Sequence, residues 1–242
     1  MRFPESLKSM INFVGMIYVR FVCKREYNLQ TFVDFNERPI EFSFLFDNLS
    51  RSWPKSVLDV GTGMTALPHL MRNCGFVVTA IDNIEDYWPY GMTNRHYHVV
   101  NDDITRTKIE DRFDFITCIS VLEHIKDHRE AMRSMFKLLN PGGHLIITFP
   151  YNEGQYVKNA YDLPGSCVRI KYPFVTQVFS REEMDSWLED SPFKVSEQEY
   201  WRFFEGEFWT CGDRLDHPIK VSLENSHHLS CICLIKPNGL DT

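Results

Sequence analysis

The sequence predicts an α/β fold: a three-layer αβα sandwich around a seven-stranded, mostly parallel sheet with an antiparallel last strand, preceded by an N-terminal helical extension. Three observations predict it. Strand-like and helix-like segments alternate from Ser56 to Phe149, the pattern of β–α–β units whose parallel strands need crossover helices. The run Phe113 to Ser120 is almost continuously apolar, as a strand covered on both faces requires. The last two strand-like segments, Phe193 to Tyr200 and His228 to Ile235, have no clear helix between them, so the final strand is expected to insert antiparallel.

Each element follows in order. Residues 1–50 read as a helical extension and 51–242 as the main domain, with insertions at about 150–179 and 201–226. The most apolar early stretch, Met10 to Cys23, is broken by Asn12 and Arg20. A bilayer span needs about 20 apolar residues, so an amphipathic helix packed on the domain is expected. A membrane-surface helix is the alternative, and integral membrane association is not expected. Strands are expected at Ser56 to Val60, Phe76 to Ile81 and His96 to Val100, then at Phe113 to Ser120 and His144 to Phe149. A helix up to Cys74 is stopped by Gly75, and another runs from Asp127 to Leu139 before Asn140-Pro141-Gly142-Gly143. Ser180 with Glu183 three residues on marks the start of a helix over Arg181 to Leu188.

Composition narrows the function classes. A formal net charge of -7 gives whole-chain binding to nucleic acid no electrostatic support, and no basic stripe interleaved with aromatics is visible. Seven cysteines, an odd number without a CxxC pair, suggest neither a disulfide framework nor a zinc ribbon. A reducing, cytoplasmic setting is expected, with Cys118, Cys231 and Cys233 as buried thiols in apolar runs.

The chemistry concentrates at Val57-Leu58-Asp59-Val60-Gly61-Thr62-Gly63-Met64-Thr65. A short strand stops there in a tight glycine turn and opens into a helix. Glycines at alternate positions let backbone approach a ligand that a β-carbon would block. Gly61-x-Gly63-x-x-Ala66 with Asp82 also fits a dinucleotide site of the NAD type. Asp59 argues against that reading, because a carboxylate in the strand is a poor companion for a pyrophosphate. A cationic sulfonium with an amino group would tolerate it.

Residues 56–150 resemble the core of the class I S-adenosylmethionine (SAM)-dependent methyltransferases. The landmarks stand in that family's order: the Asp59/Gly61/Gly63 turn, Asp82, Asp103-Ile104, Leu122-Glu123-His124, and the Pro141-Gly142-Gly143 turn. The family's usual third glycine is Thr65 here. The resemblance implies SAM as cofactor and S-adenosylhomocysteine as product. It implies that Gly61, Thr62 and Gly63 lie beneath the methionine part and ribose. Asp59 would hold the turn or reach the amino group, and Asp82 with Asn83 would meet the ribose hydroxyls. Asp103 and Ile104 would meet adenine, and Ser120 and Glu123 the methionine end.

Methyl transfer from SAM is an in-line displacement, so the protein must hold the acceptor close and exclude water. A hydroxyl acceptor also needs a base, and His124 is the candidate; capping or bonding to a backbone carbonyl is its alternative role. Some methyltransferases of this superfamily place a metal on a Glu-x-x-Glu-His unit. Ser120 replaces the first acid, and no metal is expected. His227-His228 point to opposite faces of a strand. His69, His96, His98 and His144 read as structural, and His128 as a solvated residue. Tyr151, Asn152, Tyr156, Trp201 and Trp209 are the acceptor-site candidates, suited to a small molecule or a glycan. A non-catalytic SAM-binding scaffold is the further alternative, and the oligomeric state is not legible.

Overall fold

A computed structural model describes residues 4–30, 36–88, 91–168 and 174–239. The chain divides into two compact units, Met1–Asn36 and Glu37–Thr242. The second unit thus begins just before the second helix. Parts of the expected extension, the expected 150–179 insertion and the extreme C-terminus lie outside the described residues.

The first unit holds helix α1, Glu5–Asn28, in which no residue is buried. Met10, Phe13, Ile17, Tyr18 and Phe21 are each more than half exposed. The expected amphipathic character is not seen in the helix itself. At 100° per residue, the apolar positions from Met10 to Val22 leave no polar arc wider than about 60°. There is no single face with which to dock. By length and composition the helix can cross a membrane.

The second unit begins with α2 (Arg38–Ser52) and β1 (Ser56–Val60), then α3 (Leu67–Asn73), β2 (Val77–Asp82) and the short α4 (Ile84–Tyr87). β3 (Val100–Asn101), β4 (Phe113–Ile119), α5 (His128–Leu138) and β5 (Leu139–Pro150) follow. Then come α6 (Arg181–Asp190), β6 (Lys194–Phe204), β7 (Arg214–Val221) and β8 (Leu229–Ile235). Among the described residues the sheet has eight strands in the order β3-β2-β1-β4-β5-β8-β6-β7. The first five are parallel, and β8 pairs antiparallel with both β5 and β6.

The strand beyond the expected seven is β7, antiparallel to β6. Its sequence, RLDHPIKV, is exposed or half-exposed throughout, so it carries little of the apolar signal that marks a strand. The expected 201–226 insertion is therefore mostly a hairpin that extends the sheet. β3 is shorter than expected, because His96 and Tyr97 are held in a turn by the Asn94 side chain.

α5 shows what a docked helix needs. Ala131, Met132, Met135, Phe136 and Leu138 are buried on one side of it. They join Leu58, Ile116, Leu145 and Ile147 from the sheet in one core. Burial of each such side chain contributes about 1.5–3 kcal/mol. Strand alternation sends Val57, Phe115 and Ile146, also buried, to the opposite face. α6 starts with the capping box formed by Ser180 and Glu183. Cys118, Cys231 and Cys233 are buried free thiols, and burial pushes Cys233 up to about 12.

Candidate functional site

A cavity of about 1090 Å³ opens at the carboxyl ends of β1, β2 and β4, the edge where open α/β sheets place ligands. Asp59, Gly61, Thr62, Gly63, Asp82, Asn83, Asp103, Ile104, Ser120 and His124 line it. Glu123 does not.

The glycine turn is shaped by close approach. Gly61 has φ +73° and Gly63 φ +55°, and a Cβ on Gly61 would collide with the Val121 side chain. The Gly61 and Thr62 N–H groups donate to the Ile81 carbonyl at 2.9 and 3.2 Å, tying the turn to β2. Asp59 sits beneath it, 2% exposed. Its two oxygens accept from the Thr62 and Thr117 hydroxyls at 2.7 and 2.5 Å. Of the two expected roles, then, the observed bonds serve the turn. Burial pushes Asp59 up to about 6, against the hydroxyl bonds that lower it.

Asp82 ends β2 and faces the cavity. The Gly63 N–H donates to its Oδ2 at 2.7 Å and the Trp88 indole N–H to its Oδ1 at 2.8 Å. The Asn83 N–H also bonds this carboxylate, which still keeps acceptor capacity for a ligand hydroxyl. Asn83 caps α4 by accepting from the Asp86 N–H. Asp103 caps the turn that begins at Ile104 through the Thr105 N–H and hydroxyl, and also pairs with Arg106. Only its remaining lone pairs are left for an adenine amino group.

The far side of the cavity departs from expectation. Ser120 lies at φ +50°, and its hydroxyl donates to Glu41 Oε1 at 2.5 Å. Glu41 is wholly buried and also accepts from the Thr148 hydroxyl at 2.6 Å and from Arg38 at 2.8 Å. Ser120 thus lines the cavity while its hydroxyl bonds a buried acid. Glu123 is 3% exposed, with Oε2 buried and unpartnered. Burial, then the nearby Glu41, raises its carboxyl well above the ordinary range, and the side chain lies behind the wall. That corrects its expected place among the cofactor contacts.

His124 is fixed by one bond. Its Nδ1 lies 2.7 Å from the Val175 carbonyl, which can only accept, so Nδ1 carries the proton. Nε2 is then the basic nitrogen, 4.0 Å from Glu123 Oε1. Burial lowers the imidazole from its ordinary value of 6.5, so it is neutral at physiological pH. Phe174 meets it edge-on at 4.8 Å, and Tyr87 stacks on Phe174 at 6.2 Å. Burial and the neighbouring Glu123 and Asp82 raise the Tyr87 phenol, which stays protonated.

None of the five expected acceptor residues lines the cavity. Tyr151 is wholly buried, donates to Glu153 at 2.7 Å and stacks on His227. Asn152 caps a loop through the Gly154 and Gln155 N–H groups. The Tyr156 hydroxyl bonds Gln177, and the Trp201 indole bonds Glu199 within β6. Trp209 packs on Phe203 and Phe204. The wall instead includes Arg38, Phe42, Tyr87, Trp88 and Phe174. Tyr87 and Trp88 had a visible signal, an aromatic pair just after the acid that ends β2. Arg38 and Phe42 had none.

His128 is half-buried and accepts from the Trp187 indole at 2.9 Å, so it is not the solvated residue expected. His228 is buried, its Nδ1 accepting from the Phe203 and Phe204 N–H groups. Among the described residues, no group of three or more His, Cys, Asp or Glu is arranged to hold a metal.

Comparison with known proteins places this geometry in context. A family model described as a methyltransferase domain matches residues 35–198. A ubiquinone biosynthesis O-methyltransferase of Aeromonas salmonicida is 27% identical over 119 residues, 46% of this chain and 49% of that protein. One of Pseudomonas fluorescens is 30% identical over 103 residues, 39% and 44% of the two chains. The chain thus spans about half the length of the curated relatives it matches. The 1,6-didemethyltoxoflavin-N1-methyltransferase of Burkholderia thailandensis, solved with S-adenosylhomocysteine, superposes with a TM-score of 0.55 at 16% identity, covering 94% of this chain and 90% of that one. A SAM-dependent methyltransferase of Clostridium acetobutylicum gives 0.53 at 12%, covering 95% and 100%.

Proposed function

This chain belongs to the SAM-dependent methyltransferases of the class I, Rossmann-like fold, and from that membership we propose that it methylates an oxygen of a small, flat, apolar-faced molecule. One observation carries the reading: His124 presents a neutral imidazole, with Nε2 as its basic nitrogen, on the wall of the cavity that Gly61, Gly63 and Asp82 also line.

The residues fit the cofactor. The positive-φ turn at Gly61 and Gly63, packed on Val121 with no room for a Cβ at Gly61, sets backbone at the cavity wall and suits close approach. A carboxylate with spare lone pairs at the end of β2 suits ribose hydroxyls. SAM, when bound, supplies an activated methyl group on a sulfonium. The chain's own work is to orient and to shield. Asp82 and the Gly61–Gly63 backbone would hold the nucleoside end, Ile104 would pack on the ring, and Phe42, Tyr87 and Phe174 would exclude water beside His124. His124 Nε2 would take the proton from an acceptor hydroxyl, and the Val175 carbonyl would stabilise the imidazolium through Nδ1–H.

Oxygen is favoured over nitrogen because a neutral amine does not need the base that His124 offers. The curated relatives named for O-methylation agree with that preference. Trp201 and Trp209, expected to suit a small molecule or a glycan alike, do not line the cavity. The Tyr87–Phe174 stack suits a ring. We place the catalytic unit in the cytoplasm.

The test is turnover of methyl-labelled SAM with a panel of phenols and matched anilines. Label transfer to phenols, lost without enzyme, is the expected outcome. Transfer confined to anilines would replace the oxygen reading, and SAM binding without any transfer would favour the scaffold.

A further inference from the structure

We propose that α1, Glu5–Asn28, is a membrane-spanning anchor whose occupant is a phospholipid bilayer. No side chain of the helix is buried, although its centre is apolar. A helix that docks on protein buries a stripe, and one that lies in a membrane surface keeps a wide polar face. α1 offers neither. Ile11, Val14, Met16 and Val19 point in four different directions, and each is 53–60% exposed. An all-round apolar surface is satisfied by lipid on all sides.

Length and charge agree. The 24 residues give a helix about 36 Å long, against a hydrocarbon thickness of about 30 Å. Basic side chains stand near both ends, Lys8 on one and Lys24 with Arg25 on the other, where lipid phosphates lie. Lys8 also pairs with Glu5 at 2.7 Å. Arg20 is about one turn inside Lys24, close enough for its long side chain to reach the headgroups. Within the apolar stretch, Asn12 is the remaining strongly polar side chain. This departs from the expectation that the stretch is too short and too polar to span. That expectation counted only Met10 to Cys23, broken by Asn12 and Arg20, whereas the helix runs over Glu5–Asn28.

The experiment expresses the full chain and fractionates the cells. The expected result is recovery in the membrane fraction, resistance to alkaline carbonate, release by detergent, and an intact mass that retains α1. A Val14→Lys/Ile17→Lys double variant should lower the membrane-bound fraction at least tenfold while keeping the cooperative thermal unfolding of the second unit. Val14→Leu/Ile17→Leu should stay in the membrane. Recovery of the parent chain in the soluble fraction, or its release by carbonate, would overturn the proposal. So would a soluble dimer paired through α1, or removal of α1 by cleavage.

Discussion

At one end of the cavity the walls come from residues 59–65, 81–83 and 102–105; at the other they come from Arg38, Phe42, Tyr87, His124, Phe174 and Val175. The first set consists of strand ends and the turns that follow them, joined by short-range bonds such as Gly61 N–H to the Ile81 carbonyl. The second draws on α2, α4, the turn after β4 and the segment before α6, brought together only by the tertiary fold. A site built from strand ends repeats with the β–α–β rhythm and so shows in the sequence. A site built from side chains on distant segments does not.

That contrast can be broken by substitution, and the largest effect is expected at the acceptor end. His124→Ala should lower kcat for a hydroxyl acceptor by about 10²–10⁴-fold, while the Kd for SAM stays near that of the parent chain. The parent's kcat/KM should stay level through neutral pH. It should fall only in acid, below the ordinary imidazole value of 6.5, because burial disfavours the protonated form. Stopped-point label transfer across pH reads both. An unchanged kcat would reassign His124 to holding the Val175 segment.

At the cofactor end, Gly61→Ala combines a positive φ with a collision against Val121. The strain and overpacking cost about 2–5 kcal/mol, measured as lost SAM affinity or lowered Tm. Accommodation without loss in either would mean that the turn is looser than its geometry states.

The smallest effect sharpens the comparison from the other side. Trp201→Ala, on β6 and outside the cavity, should leave the acceptor KM within about twofold. A tenfold rise would return the aromatic hairpin to the acceptor site.

The same division explains what could be read in advance. The parallel sheet, the inserted last strand and the acid after each early strand were legible, because buried strands are apolar runs and their ends carry the punctuation. β7 was hidden, since a solvated edge strand has little apolar content. Tyr151 was expected at the acceptor site because it follows a strand end, and Trp201 because it opens an aromatic-rich insertion; neither lines this cavity. Tyr151 follows β5 but turns into the core. Helix α1 shows the converse: its apolarity was visible, but its all-round distribution was passed over.

The most direct measurement is calorimetric titration of the full chain and of Asp82→Ala with SAM, with NAD as the comparison ligand. The parent chain should bind SAM saturably, and Asp82→Ala should lose at least one charge-assisted hydrogen bond, about 1.5–3 kcal/mol. NAD binding without SAM binding, or an Asp82→Ala affinity equal to the parent's, would contradict the assignment of this cavity to the cofactor.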